Sequence, residues 1–195
     1  MNPALIILFP PAALVAVAVG SYNHLTRLRN RCRNAFAQID VQLQRRHDLI
    51  PNFIAAARGY LVHEREALES LALARGRAVD ARESNLNAPS TQTRQSMDLA
   101  EGQLARALQP LVARAEANPE LKADGTMAAV MEELLTTENR IALARQAYND
   151  AVMFYNAARE SFPDRFVTSW GAFAPAAFFL LESESERNVP QVNLA

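Results

Sequence analysis

Apolar residues recur at alternating intervals of three and four along most of this chain, which is the spacing of one face of an α-helix. The most regular run occupies Met127, Met131, Leu134, Glu138, Ile141, Arg145, Tyr148, Val152, Tyr155 and Phe162. A less regular run occupies Met97, Ala100, Leu104, Leu108, Leu111 and Ala115. A mean spacing of roughly 3.5 residues is typical of the seam of a left-handed helical bundle. Since no stretch alternates with the period of a strand, the sequence predicts an all-α fold.

Prolines and turn-rich segments divide this periodic sequence into four predicted helices, at about 22–48, 51–82, 91–117 and 126–162. Ser90 and Thr126 are suited to cap the last two, because a hydroxyl can accept a hydrogen bond from the first free backbone N–H groups. Helices of comparable length joined by short connections favour an antiparallel up-and-down four-helix bundle over residues 22–163.

The connection between the first two helices admits two interpretations. Pro51 cannot donate a backbone hydrogen bond, and Asp48 could cap a new helix three residues earlier. We therefore predict a bundle-corner turn at Asp48, Pro51 and Asn52. The alternative joins the first two predicted helices into one long helix that is kinked at Pro51.

Residues 1–21 are predicted to form a transmembrane anchor. No charged residue lies between Pro3 and Gly20, and a helix of this length extends for about 27 Å, close to the thickness of a bilayer core. Positive charges follow, at Arg27, Arg29, Arg31 and Arg33. Because they precede the first acid, Asp40, we predict a single-pass cell-membrane protein with its N-terminus outside and its C-terminal domain cytoplasmic. The alternative is a cleaved signal peptide, although no positive charge precedes the apolar run.

Several positions on the predicted seam are polar or charged. The candidates for a structural polar core are Arg46, Glu64, Arg75, Glu138, Arg145 and Asn149. An unpaired buried charge is costly, so each is expected to find a partner, and ion pairs that fix the helix register are the favoured interpretation. A polar site between helices and long side chains that reach solvent at the bundle ends are the alternatives.

The motifs that most enzymes require are missing from the sequence. There is no Glu-x-x-His pair, no zinc-binding spacing among three histidines and one cysteine, and no phosphate-binding glycine loop. We therefore predict no enzymatic activity, no catalytic or metal-ligating residue, no cofactor and no small-molecule substrate. A net charge of −1 also gives no footprint for nucleic acid. A remote alternative is a hydrolase or metal enzyme that uses Asp40, His47, Asp48 and Glu64.

The tail at residues 164–195 concentrates aromatic side chains. The candidates for an interaction or membrane-interface surface are Phe166, Trp170, Phe173, Phe178 and Phe179. One interpretation is a strap packed over a groove of the bundle. The other is an exposed patch that binds a partner, another protomer or the lipid interface, because an up-and-down bundle returns its fourth helix towards the membrane.

Long blocks of the sequence resemble the LemA family. They are YNHLTRLRNRCRNAFAQIDVQLQRRHDLIPNF (22–53), GYLVHERE (59–66), TENRIALARQAYNDAVMFYNAARESFP (137–163) and Pro190-Gln191-Val192. The chain differs at Phe36, where typical members carry tryptophan, and at Pro10-Pro11, which interrupt an otherwise apolar anchor. The resemblance implies one N-terminal membrane anchor followed by a helical bundle domain, and it does not imply an enzyme.

These features predict a membrane-anchored helical scaffold or assembly protein. Its expected partners are the lipid bilayer and either further copies of itself, in a homo-oligomer, or other membrane proteins. The alternative function is a one-to-one adaptor or regulator of a membrane enzyme such as a protease or a transporter.

Overall fold

The computed structural model describes residues 3–170 and 173–179, without the side chains of residues 3–10 and 62. Its helices are α1 (Pro3–Ala57), α2 (Arg65–Asn87), α3 (Thr91–Ala117), α4 (Pro119–Ala123), α5 (Gly125–Glu160) and α6 (Asp164–Thr168). A short 3-10 turn at Val62–Glu64 precedes α2. No strand occurs among these residues, so the prediction of an all-α bundle is confirmed.

The chain divides into two units. Among the described residues, the first contains residues 3–42, 140–170 and 173–178, and the second contains residues 43–139 and Phe179. Met1 and Asn2 of the predicted anchor lie outside the described residues, and so do residues 171–172 and 180–195 of the predicted tail. In the described part of the chain, no helix combines the length and the apolarity that crossing a membrane requires.

The second unit is a helical bundle built from the end of α1, from α2 and α3, and from the start of α5. Its apolar core includes Ile50, Phe53, Leu71, Leu104, Leu111, Met127 and Leu134. Arg75 on α2 contacts His47, and Arg82 contacts Gln44 one turn earlier on α1. Because contacts later on α2 fall earlier on α1, these two helices run antiparallel, as an up-and-down bundle requires.

Side chains cap the N-termini of α3 and α5. The residue predicted to cap α3 does so, whereas a different residue caps α5. Ser90 Oγ accepts a hydrogen bond from the N–H of Thr93 at 3.0 Å, and Thr93 Oγ1 accepts one from the N–H of Ser90 at 2.9 Å, so α3 begins at the predicted residue. The cap predicted at Thr126 is wrong. Asp124 caps α5 instead, since its Oδ1 accepts hydrogen bonds from the N–H groups of Thr126 and Met127 at 2.8 and 3.1 Å. A carboxylate also complements the positive end of the helix dipole.

The bundle-corner turn predicted at Asp48, Pro51 and Asn52 is wrong, because α1 continues through all three residues to Ala57. The first two helices are therefore not bounded at 48 and 51, and the chain reverses at residues 58–64 instead. The structure agrees with neither interpretation in full. Helix α1 passes through Pro51, as the fused helix requires, but it ends at Ala57 and α2 is a separate helix.

The compensation for this proline comes from α2. A proline at position 51 removes the backbone hydrogen bond that would reach the carbonyl of His47, four residues earlier. Arg75 Nε donates a hydrogen bond to that carbonyl at 2.6 Å and so replaces the missing donor. The ring of Pro51 lies on the exposed face of α1 and leaves the packing of Phe53 undisturbed, which remains fully buried.

Removal of this donor should matter only while the proline is present. We expect Arg75→Ala to lower the free energy of unfolding by about 1.5 kcal/mol, because a buried carbonyl loses a charged donor. In a Pro51→Ala background the new N–H satisfies the carbonyl of His47, and the same change should cost less than about 0.5 kcal/mol. Urea unfolding of the four variants measures the difference. Arg77→Ala, an exposed arginine on the same helix, is the control, and equal costs in both backgrounds would refute the compensation.

The first unit consists of the rest of α1 and α5, with α6 and the segment that follows it. His24 on α1 contacts Asp164, and Phe36 further along α1 meets the ring of Tyr148, with ring centroids 6.0 Å apart. The contacts thus advance along α1 as they move back along the chain from Asp164 to Tyr148, so α1 runs antiparallel to this part of the chain. The buried apolar side chains of the two helices include Leu25, Leu28, Cys32, Ile39, Ile141, Tyr148, Val152 and Tyr155.

Candidate functional site

The interior of the second unit contains a group of charged side chains that four helices supply. This polar cluster consists of Arg46 and His47 from α1, Arg75 from α2, Glu101 from α3 and Glu138 from α5. Glu101 is fully buried, and Arg46 and His47 are each 1% exposed. The side chain of Glu138 is 37% exposed, so the cluster meets solvent there.

Arg46 is the centre of the polar cluster. Its Nη1 donates to both carboxylate oxygens of Glu138, at 2.9 and 3.1 Å, and its Nη2 donates to Oε2 of Glu101. The other oxygen of Glu101 lies 2.9 Å from Nε2 of His47. Both oxygens of the buried carboxylate are therefore hydrogen-bonded, which is the condition for a carboxylate to remain charged in an interior.

The surroundings of Arg46 and Glu101 favour the charged form of each side chain. Burial alone would lower the pKa of Arg46, but the carboxylates of Glu138 and Glu101 outweigh it and raise that pKa above its ordinary value. Burial alone would raise the pKa of Glu101, but the hydrogen bond from His47 and the charge of Arg46 hold it below its ordinary value. At neutral pH the interior of this unit therefore contains a complete ion pair.

The geometry of the polar cluster is that of a structural network. Glu138 is its only member among the residues lining a shallow groove of about 300 Å³ between α3 and α5, whose other lining residues include Leu108 and Leu134. Among the described residues, no group of three histidine, cysteine or acidic side chains could hold a metal ion. A set of ion pairs that joins α1, α3 and α5 instead penalises any shift of one of these helices along another, because a shift would leave a buried charge without its partner.

The predicted polar core is partly assembled in this cluster. The structure brings Arg46, Arg75 and Glu138 together, although Arg75 binds a backbone carbonyl where a carboxylate was expected. Glu64 pairs elsewhere in the same unit, with Arg114, and both side chains are partly exposed. Arg145 and Asn149 are half-buried on α5 in the first unit.

The residues of the remote hydrolase interpretation do not converge on one site. His47 is buried against Glu101, whereas Asp48 is exposed and accepts a hydrogen bond from Gln44 Nε2 at 3.0 Å on the same helix. Glu64 belongs to the separate pair with Arg114.

Glu101 is the member of the polar cluster that the sequence interpretation missed. The less regular run, in the third predicted helix, includes Ala100, and this residue makes its spacing irregular. With Glu101 in that place the intervals become four, three, four, three and four, and the structure buries these positions: Met97, Glu101, Leu104, Leu108, Leu111 and Ala115. The regular spacing was the available signal, and it was obscured because a glutamate is rarely buried.

The tail contains a strap, residues 173–179, that lies against α5. Arg159 Nε and the hydroxyl of Tyr155 donate to the carbonyls of Phe173 and Ala174, at 2.9 and 3.0 Å. Asn156 exchanges two hydrogen bonds with the backbone of Ala176, and the hydroxyl of Tyr148 donates to the carbonyl of Ala177. Side chains spaced along one face of α5 thus satisfy an extended backbone that forms no strand pairing of its own.

The aromatic candidates divide between the two interpretations of the tail. Phe173 and Phe179 are buried, at 4% and 2% exposure, as the strap interpretation predicts. Phe166, Trp170 and Phe178 are exposed, at 65%, 91% and 51%. Phe162, which the sequence interpretation assigned to the seam of α5, is 82% exposed and belongs with the second group.

The fold and the polar cluster define a class of protein, an all-helical bundle whose helices are joined by buried ion pairs. The family model of the LemA family matches residues 35–194, which is most of the sequence, and the chain belongs to the LemA family. A comparison with curated proteins gives no match.

Proposed function

We propose that this LemA family protein is a non-enzymatic, membrane-anchored helical scaffold. One observation carries the proposal. Helix α1 extends without interruption from Pro3 into the bundle, and every side chain of residues 11–20 is exposed, including Leu14 at 72% and Val15 at 64%. An exposed apolar surface of this extent is typical of a region that a lipid bilayer or another protein covers. The absence of charge from Pro3 to Gly20 favours the bilayer.

The charges around this segment support one orientation. Arginines at 27, 29, 31 and 33 follow the uncharged stretch, and no acidic residue precedes Asp40. Positive charge is retained on the cytoplasmic side of a membrane, so the N-terminus lies outside and the bundle lies in the cytoplasm.

The bundle has the properties of a scaffold. The polar cluster fixes the register of its helices, and large apolar side chains remain on its surface, with Leu73 and Leu99 each more than 60% exposed. Exposed leucines on rigid helices are suited to contacts with another helical protein or with a second copy of the chain. The arrangement of His47 and Asp48 supports a non-enzymatic role, because a buried base and an exposed carboxylate do not face a common substrate.

Membrane anchoring is tested by placing charge in the uncharged segment of the full chain. We expect Leu14→Arg with Val17→Arg to move the protein from the membrane pellet to the soluble fraction, since each arginine near the centre of a span opposes insertion by about 2.5–3.5 kcal/mol. Leu73→Arg with Leu143→Arg is the matched control, because it places two arginines at exposed apolar positions outside the uncharged segment. A doubly substituted anchor that stays in the pellet after alkaline extraction would refute the proposed anchor.

Self-assembly is tested by crosslinking in native membranes. Lys122 is the only lysine of the sequence and is exposed, so an amine-reactive crosslinker joins two copies only through Lys122 or the N-terminal amine. A ladder of crosslinked copies, or links to several membrane proteins, supports the scaffold. One link to one membrane enzyme at one-to-one stoichiometry supports the adaptor alternative instead, and Lys122→Arg should remove the links that depend on that residue.

A further inference from the structure

Three aromatic side chains at intervals of four residues lie in the solvent on the first unit. This aromatic triplet consists of Phe162, Phe166 and Trp170, at 82%, 65% and 91% exposure. The rings of Phe162 and Phe166 meet edge to face, with centroids 5.9 Å apart and planes at 89°. Aromatic side chains in an open cluster of this kind mark a surface that is covered in the working protein.

A part-buried contact fixes where the aromatic triplet lies along α1. Asp164, between Phe162 and Phe166 in the sequence, is buried, and its Oδ2 lies 2.6 Å from Nδ1 of His24. His24 is four residues beyond Gly20, which ends the uncharged stretch, and four residues of helix correspond to about 6 Å. The headgroup layer on each side of a bilayer core is about 5–8 Å thick. The triplet therefore lies at headgroup level relative to the anchor.

A second contact holds the far end of this segment at the same level. Phe173 meets the ring of Tyr22 edge to face, with centroids 5.3 Å apart, and the guanidinium of Arg29 lies 4.9 Å from the centre of the Phe173 ring. The chain therefore leaves α1 near His24 and meets it again between Tyr22 and Arg29. The triplet has no freedom to move far along α1 while both contacts persist.

Exposed cations accompany the aromatic rings. Arg165, between Phe162 and Phe166 in the sequence, is exposed on α6, and Arg27 is exposed three residues beyond His24 on α1. Aromatic rings together with exposed arginines are the composition of a membrane interface, where the rings enter the boundary of the acyl chains and the cations contact anionic headgroups.

We infer that Phe162, Phe166 and Trp170 insert into the headgroup region of the leaflet that the anchor leaves, and that they hold the first unit against the membrane surface. The inference rests on the proposed anchor, since the level of the triplet is measured from residues 3–20. The occupant is an anionic bilayer rather than a second protein, because the contact of Asp164 with His24 places the rings at the level of lipid headgroups.

Trp170 is the only tryptophan of the sequence, so its fluorescence reports on this surface without labelling. The experiment uses the full chain in vesicles of phosphatidylcholine and phosphatidylglycerol that contain lipids brominated near the headgroup end of the acyl chains. We expect the emission of Trp170 to shift to the blue, to be quenched by the brominated lipids, and to be protected from aqueous iodide.

A double variant with a matched control shows whether the triplet acts as one surface. Phe162→Ser with Phe166→Ser keeps the fluorophore and should lower quenching by brominated lipid at least about twofold. Leu143→Ser removes a side chain of similar exposure, 66%, from α5 at a distance of about 26 Å along the helix from Glu160, and should leave quenching unchanged. Equal quenching in both variants would overturn the inference.

Flotation separates the failure of this inference from the failure of the anchor. If the chain does not float with the vesicles, the anchor fails and the inference fails with it. If the chain floats while iodide quenches Trp170 and brominated lipid does not, the anchor stands and the inference is overturned. Protection from iodide without quenching by brominated lipid also overturns it, because another protein surface then covers Trp170.

Discussion

Replacement of Arg46 by alanine is expected to lower the free energy of unfolding by about 3–5 kcal/mol, because it leaves the fully buried carboxylate of Glu101 without its cation. The loss exceeds that of an ordinary core truncation, since the penalty comes from an uncompensated charge as well as from a cavity. Urea unfolding of the full chain followed by far-UV circular dichroism measures it.

The neighbouring residue is the control for this prediction. Arg45 also pairs with a carboxylate, that of Glu133, but both side chains are close to half exposed, so Arg45→Ala should cost only about 0.2–1 kcal/mol. The double variant Arg46→Met with Glu101→Met should cost less than the sum of the two single changes, because no unpaired charge remains between them. If Arg46→Ala lowered the free energy of unfolding as little as Arg45→Ala, the buried ion pair of Arg46 with Glu101 would be refuted.

Replacement of Phe173 by alanine is expected to lower the free energy of unfolding of the first unit by about 3 kcal/mol. Phe173 is 4% exposed and packs between the ring of Tyr22 and the guanidinium of Arg29, so its loss removes the apolar contact that fixes the start of the strap. Hydrogen exchange should then show faster exchange for the strap amides, beginning with that of Ala176, which donates to Asn156 in the intact protein.

Phe178→Ala is the matched control, because it removes the same side chain from the same strap at a position that is 51% exposed. It should change the stability by less than about 1 kcal/mol and leave the exchange of Ala176 unaltered. If both variants release the strap equally, its hydrogen bonds to α5, and not the ring of Phe173, hold it in place.

A buried ion pair does not by itself make a bundle more stable than an apolar core of the same shape. Its value in this fold lies in the alignment that it enforces. Leucine and alanine seams tolerate a shift of one helix by a turn, whereas Arg46 finds Glu101 and Glu138 in only one register. The proposed scaffold role requires such a register, because it depends on surface leucines in a fixed arrangement.

Part of this structure could be predicted because it depends on local pattern. The apolar spacing predicted the helical class, and the hydroxyl of Ser90 predicted the first residue of α3. The burial of Arg46 followed from its place on the seam together with the rule that a buried arginine requires carboxylates. These features depend on residues within a few turns of one helix, so a single sequence contains them.

Other features depend on residues that are distant in the sequence. Pro51 has the local signature of a helix end, and only the guanidinium of Arg75, 24 residues later, satisfies the carbonyl that the proline leaves free. Glu101 has the local signature of an exposed residue, and only the approach of Arg46 and His47 makes its burial tolerable. Neither partner can be identified before the helices are placed beside one another.

The sequence by itself determined that this chain is helical and where most of its helices lie, because helix formation follows from the spacing of apolar residues and from the chemistry of the caps. Only the tertiary structure decided that α1 passes through Pro51, that Glu101 completes the ion pair, and which tail aromatics are buried. Phe173 and Trp170 are both aromatic residues of the tail, and the sequence does not show which of them is buried. Phe173 is buried because side chains of α1 and α5 contact it, whereas Trp170 is exposed.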